Sequence, residues 1–182
     1  MKGTMATPWK QSGFSLIEVM VVVAIFAIVA GVSAPNLQRW MRNYRLKSAV
    51  MDLHSNMQLA KLNAVKENRQ WKLQFNASGT YTVIQCLTNT TTCETGTLNT
   101  HYRVSKTVSF GTAYANEVVF KNPQSPSLLF EQNPLTFSST GTTTQPGYVY
   151  ISNSINSSYY RVGTKYIAGA VHIEKWNGSG WN

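Results

Sequence analysis

Residues 14–34 read FSLIEVMVVVAIFAIVAGVSA, an apolar run of 21 positions broken only by Ser15, Glu18 and Ser33. As an α-helix rising about 1.5 Å per residue, such a run reaches about 31 Å and matches a bilayer hydrocarbon core of roughly 30 Å. A membrane-spanning helix is therefore expected near the start of the chain. The residues before it, 1–13, are polar and include Lys2 and Lys10. The rival reading is a secretory signal cut after Val32-Ser33-Ala34. Two residues oppose it: Pro35 is a poor neighbour for that cut, and Glu18 puts a carboxylate inside the apolar run.

Beyond Pro35 the pattern becomes one-sided. Leu46, Val50, Leu53, Met57, Ala60 and Ala64 recur at alternating steps of four and three, the spacing of a single buried helical seam. Arg39, Arg42, Arg45, Lys47, Lys61 and Lys66 decorate the remaining faces, and Asn68 offers an end. Pro35 removes one backbone donor, so it should kink or loosen the rod; periodicity on both sides says that it does not end it.

From Trp71 the period changes to two. Trp71, Leu73 and Phe75 alternate with Lys72 and Gln74, and residues 76–79 form a turn before a second strand at 81–86. Further short strands are expected at 118–121, 128–131, 135–138, 148–152, 159–163 and 170–176, separated by Gly, Pro, Asn and Ser. The fold class is α+β: a long N-terminal membrane-spanning helix continuing as an amphipathic helix, packed on an antiparallel β-sheet domain. The divisions are 1–13, 14–35, 36–70 and 71–182.

Charge follows this division. The net charge is +9, but 36–72 carries eight basic residues against Asp52 and Glu67, while from Leu73 onward the balance is six against four. The basicity belongs to the helix. Cys86 and Cys93, in a Thr- and Asn-rich stretch, read as a disulfide suited to an oxidising compartment; a pair of free thiols is the alternative. His54, His101 and His172 lie far apart, and no nucleophile elbow, zinc-protease helix or phosphate-cradling glycine loop is present. An enzyme is not expected, and neither a metal nor a cofactor is.

The junction Gln11-Ser12-Gly13-Phe14-Ser15-Leu16-Ile17-Glu18-Val19 closely resembles the processing site of type IV pilins and type II secretion pseudopilins. The resemblance implies that a prepilin peptidase cuts between Gly13 and Phe14 on the cytoplasmic face and methylates the new Phe14 amine. Pro35 falls where pilins commonly have one. A carboxylate in a membrane helix costs about 2.5 to 3.5 kcal/mol on insertion scales, so Glu18 asks for a partner. By the resemblance that partner is the N-terminal amine of an adjacent subunit, which makes Glu18 an assembly residue; a side chain snorkelling to the headgroups is the alternative.

A second resemblance lies in Leu135-Thr136-Phe137-Ser138-Ser139-Thr140-Gly141, Gly147-Tyr148-Val149-Tyr150-Ile151, Tyr160-Arg161-Val162 and Gly169-Ala170-Val171-His172-Ile173. These look like the β-domain of the FimT/GspH group of minor pilins and pseudopilins. The implied protein is a subunit of a type IV pilus or type II secretion pseudopilus, whose partners are other pilin subunits, the peptidase and an inner-membrane assembly platform. It would sit as a single pass in the bacterial inner membrane with a periplasmic domain before entering the filament. The count of Arg39, Arg42, Arg45 and Lys47 against Lys2 and Lys10 opposes that topology; the resemblance overrides it, since long domains cross largely regardless of charge.

Some FimT-type pilins bind DNA through a Gly-Arg-x-Arg element. Here the matching positions read Gly169-Ala170-Val171-His172, without either arginine, which removes phosphate contacts. Lys165, Lys175 and Trp176 are the candidate substitutes, with the ring available for base stacking. A membrane-anchored binding module that never polymerises is the other reading. The stretch 86–114 resembles nothing recognised, and the tail 176–182 is expected to fray.

Overall fold

The computed structural model describes residues 13–76, 79–86, 102–109, 118–125, 130–131, 134–153, 155 and 158–182. One helix, α1 (Leu16–Lys66), precedes eight strands: β1 (Trp71–Asn76), β2 (Thr80–Cys86), β3 (Tyr102–Ser109), β4 (Val118–Phe120), β5 (Leu135–Phe137), β6 (Gly147–Asn153), β7 (Tyr159–Thr164) and β8 (Val171–Lys175). The chain divides into two compact units, Met1–Trp40 and Met41–Asn182.

In the first unit α1 begins on Ser15, whose Oγ accepts a hydrogen bond from the Ile17 N–H at 3.2 Å, while its carbonyl accepts the first helical bond from Val19 N–H. Leu16, Ile17, Val19, Val23, Ile25, Phe26 and Ile28 are all exposed. No single helix among the described residues is long and apolar enough to cross a membrane. The stretches Leu16–Gly31 and Asn36–Lys66, taken together over a break, are. The break takes in Pro35, which has no N–H to donate, and Ser33, whose hydroxyl donates back to the Val29 carbonyl at 2.8 Å. Leu16–Gly31 by itself reaches about 24 Å, short of the span expected for 14–34.

In the second unit the seam is buried as its spacing requires: Leu46, Val50, Leu53, Met57, Ala60 and Ala64, joined by Ala49, are at most 2% exposed. Each fully buried Leu, Val or Met of this kind contributes about 1.5 to 3 kcal/mol of hydrophobic stabilisation. The helix stops at Lys66 because Asn68 takes a left-handed backbone (φ 51°), with Asn68 N–H bonding to the Val65 carbonyl and Arg69 N–H to the Ala64 carbonyl. That paired closure satisfies carbonyls left free at the helix end.

Among the described residues the strands form two four-stranded antiparallel sheets, ordered β3-β2-β1-β5 and β4-β6-β7-β8, which together make the antiparallel β-sheet domain expected. The helix seam, Leu73 and Phe75 of β1, Phe137 of β5, Val149 and Ile151 of β6 and Val162 of β7 share one core, so both sheets close on it. Rings join them at one end: Phe75 stacks on Phe130 at 5.5 Å and meets Phe120 edge-on at 6.1 Å. The β1–β2 hairpin has the expected register, with Phe75 opposite Tyr81. Strand β3 lies in the stretch left unread. Of the strand expected at 128–131, Phe130 makes only an isolated bridge to Val149, and 128–129 lie outside the described residues.

The tail does not fray. Trp176 bridges Trp181, Lys175 and Asn182 exchange two backbone hydrogen bonds, and Asn177 Oδ1 accepts from Ser179 N–H and Gly180 N–H at 3.0 and 2.8 Å. A composition rich in Gly concealed a turn closed by two tryptophans.

Candidate functional site

At the helix start, Phe14 and Glu18 line one open groove with Val19, Val22 and Val23, the spacing of one helix face. Phe14 is 84% exposed, as a side chain awaiting a partner outside the chain would be. Gly13 has open space where a side chain would stand, and Gln11 and Ser12 lie outside the described residues. Glu18 occupies the first turn of α1, three residues after the Ser15 cap. Ser-x-x-Glu is the spacing of a capping box, and a carboxylate there also suits the positive end of the helix dipole. Sequence reading missed this local role, although the spacing was the signal for it. The lining of the groove is apolar apart from Glu18.

A second feature was also missed. Tyr44, Met51, Leu59 and Leu62 lie exposed along α1, away from the buried seam, at steps of seven, eight and three that keep to one side of the helix. Apolar residues exposed in a row mark a surface that packs against something.

Cys86 is fully buried at the end of β2 and disulfide-bonded. Its only possible mate within the chain, Cys93, lies outside the described residues.

The three residues considered for nucleic acid do not converge. Lys165 follows the end of β7 that pairs with Val171, whereas Lys175 pairs with Tyr160 at the opposite end of the hairpin. Ala170 and His172 are exposed but supply no fixed cation, and Trp176 packs on Trp181 at 5.2 Å. Gly169, at φ 68°, serves a packing role: a side chain there would meet the Gly141 carbonyl, and Lys61 Nζ donates to the Gly169 carbonyl at 3.0 Å.

The outer face of the second sheet carries a closed polar network. Arg161 Nε donates to Glu174 at 2.8 Å, its guanidinium lies over the rings of Tyr148 (4.2 Å) and Trp181 (4.8 Å), and Tyr150 donates to Glu131. Burial, reinforced by Glu174, pushes the Tyr148 phenol up to about 12; burial and the Glu131 hydrogen bond do the same to Tyr150. Burial opposes charge on Arg161, but Glu174 and Tyr150 outweigh it and raise its pKa. The network is a self-satisfied brace in which each charge already has its partner. Among the described residues no three His, Cys, Asp or Glu side chains gather as a metal set.

Residues 10–34 match the prokaryotic N-terminal methylation motif, and residues 49–164 match the family model of the type II transport protein GspH. The fold is similar to that of the minor pseudopilin EpsH from the type 2 secretion system of Vibrio cholerae: TM-score 0.52, 12% identity, 71% of this chain and 95% of that one. It is also similar to the type IV minor pilin FimU of Pseudomonas aeruginosa: TM-score 0.53, 16% identity, 79% of this chain and 96% of that one. No curated protein is significantly similar to the chain.

Proposed function

Because the chain belongs to the family of the type II transport protein GspH and carries the N-terminal methylation motif, we propose the following course for this minor pilin or pseudopilin. It is cut between Gly13 and Phe14, methylated on Phe14, held in the inner membrane by α1 with its β-domain in the periplasm, and then drawn into a filament. Family membership makes assembly with other pilin subunits its business. The peptidase, the assembly platform and the topology are part of the proposal. So is the role of a structural subunit rather than an enzyme.

The observation that carries the reading is the groove at the helix start. Phe14 and Glu18 stand together on an exposed apolar face, and the cut at Gly13 would create one new amine beside one carboxylate. Within one chain Phe14 precedes the Ser15 cap, and Glu18 follows it in the first turn of α1. Between chains, staggered helices would place one subunit's amine against the next subunit's Glu18, and opposite charges in an apolar filament core favour one axial register. Intact-mass and N-terminal analysis of membrane-derived protein should find a chain that starts at methylated Phe14. A mature start at Pro35, or an uncut chain in cells with active prepilin peptidase, refutes the proposal.

A further inference from the structure

The folded tail creates a cavity that an unfolded one would not. It is half-open, about 550 Å³, and lies where residues 158–159, the end of β8 and the turn 176–182 meet. That volume is in the range of small-ligand sites and suits one or two sugar rings. Among the described residues its walls carry the rings of Tyr159 and Trp176, the ammonium of Lys175 and the amides of Asn177 and Asn182, and no aliphatic side chain. The lining therefore does not select an apolar ligand.

The polar groups are uncommitted. Lys175 lies 6.0 Å above the Tyr160 ring, and among the described residues no carboxylate pairs with it. Neither the Tyr159 hydroxyl nor the Asn182 amide bonds to another described side chain, while Asn177 uses its carbonyl in the turn and keeps its amide N–H donors. One cation, several donors and acceptors suited to hydroxyls, and aromatic walls suited to the C–H faces of a ring meet at one place. Nucleic acid fits less well. Backbone binding draws on several phosphate contacts, but among the described residues only one cation lines the cavity, Lys165 is at the far end of the hairpin, and Arg161 is held by Glu174.

We propose that this cavity binds a saccharide unit bearing a single carboxylate, of the uronic acid class. Lys175 takes the carboxylate, Trp176 and Tyr159 flank the ring, and Asn177 and Asn182 bond its hydroxyls. The test titrates the full-length chain in detergent with oligogalacturonate, uncharged oligogalactan and a single-stranded oligothymidine, following tryptophan fluorescence. The acidic oligosaccharide should give a saturable change and bind tighter than the uncharged one. Lys175→Gln should weaken the acidic ligand by about tenfold or more, the loss of one charge-assisted hydrogen bond, and leave the uncharged one unaffected. Lys165→Gln should change neither. Because Trp176→Ala could unfold the turn, Asn182→Ala serves as the second cavity variant and should also weaken binding. Overturning results are no saturable binding of oligogalacturonate, equal affinity for the two oligosaccharides, indifference to Lys175→Gln, or tighter binding of the oligothymidine, which would reassign the cavity to nucleic acid.

Discussion

Glu18 is the residue at which two physical roles overlap, and a conservative change separates them. As part of a capped first turn it favours the helix start by about 0.3 to 1 kcal/mol, and glutamine keeps the capping geometry while losing the charge. As the counter-ion of a neighbour's amine it works only when charged. Glu18→Gln should therefore leave export and β-domain folding intact while reducing the fraction of protein in sheared filaments relative to membranes. Ser15→Ala, which costs about 1 kcal/mol at the cap, should leave incorporation largely intact. Wild-type incorporation of Glu18→Gln at matched expression would remove Glu18 as the assembly contact. The tyrosines give a pH prediction. Burial holds Tyr81, Tyr148 and Tyr150 at about 12, above the ordinary 10.0. These phenols stay protonated in the fold after they would ionise in the unfolded chain. Their stabilisation is fully present below pH 10.0 and is lost as pH rises through about 12. Tyrosinate absorbance should show a late-ionising group of phenols, and the denaturation midpoint should fall over that window.

At the scale of elements, the helix carries the core seam and the second sheet carries the brace. Met57 is fully buried among side chains of the helix and both sheets, so Met57→Ala should cost about 2 to 5 kcal/mol in the folded domain. Chemical denaturation of the detergent-solubilised chain should show a lower midpoint with an unchanged slope. The turn 176–182 is held locally, by Trp181 on Arg161, Tyr150 and Trp176. Trp181→Ala should leave the global midpoint nearly unmoved yet raise hydrogen exchange at Lys175 and Asn182, whose backbones pair only while the turn is closed. Unchanged protection there would mean that the backbone ladder suffices without the ring.

At the scale of the whole molecule, the described large apolar side chains of the first unit are exposed, while the second unit has a buried core of its own and leaves Met51, Leu59 and Leu62 exposed on its helix. Such a division suits a chain whose first part is completed by lipid and then by other subunits. Cys86, buried and bonded at the end of β2, fits the periplasmic placement proposed for the domain, since disulfides persist in oxidising compartments. Non-reducing peptide mapping of the exported protein should therefore find Cys86 joined to Cys93 and neither thiol alkylatable before reduction.

The length of one apolar run determined the start of α1, and periodicity and turn residues determined its buried seam and most strands, because burial on one face leaves a period of 3.6 or 2 in the residues that alternate with solvent. The methylation motif over residues 10–34 was legible by resemblance, and the carboxylate of Glu18 because a charge in an apolar run stands out locally. The partition of the strands into two sheets was not legible, since Leu135 and Phe137 alternate in the same way whichever neighbour they join; pairing with β1 is decided by where the helix seam lies. Nor was the closed tail. Its Gly and Asn residues read as loop, and the Arg161 guanidinium and the Tyr150 ring, brought from β7 and β6 by the sheet, give Trp181 a surface on which to settle. Short-range pattern decides what each segment is; contacts between residues distant in sequence decide which segments meet, and they write no period into the chain.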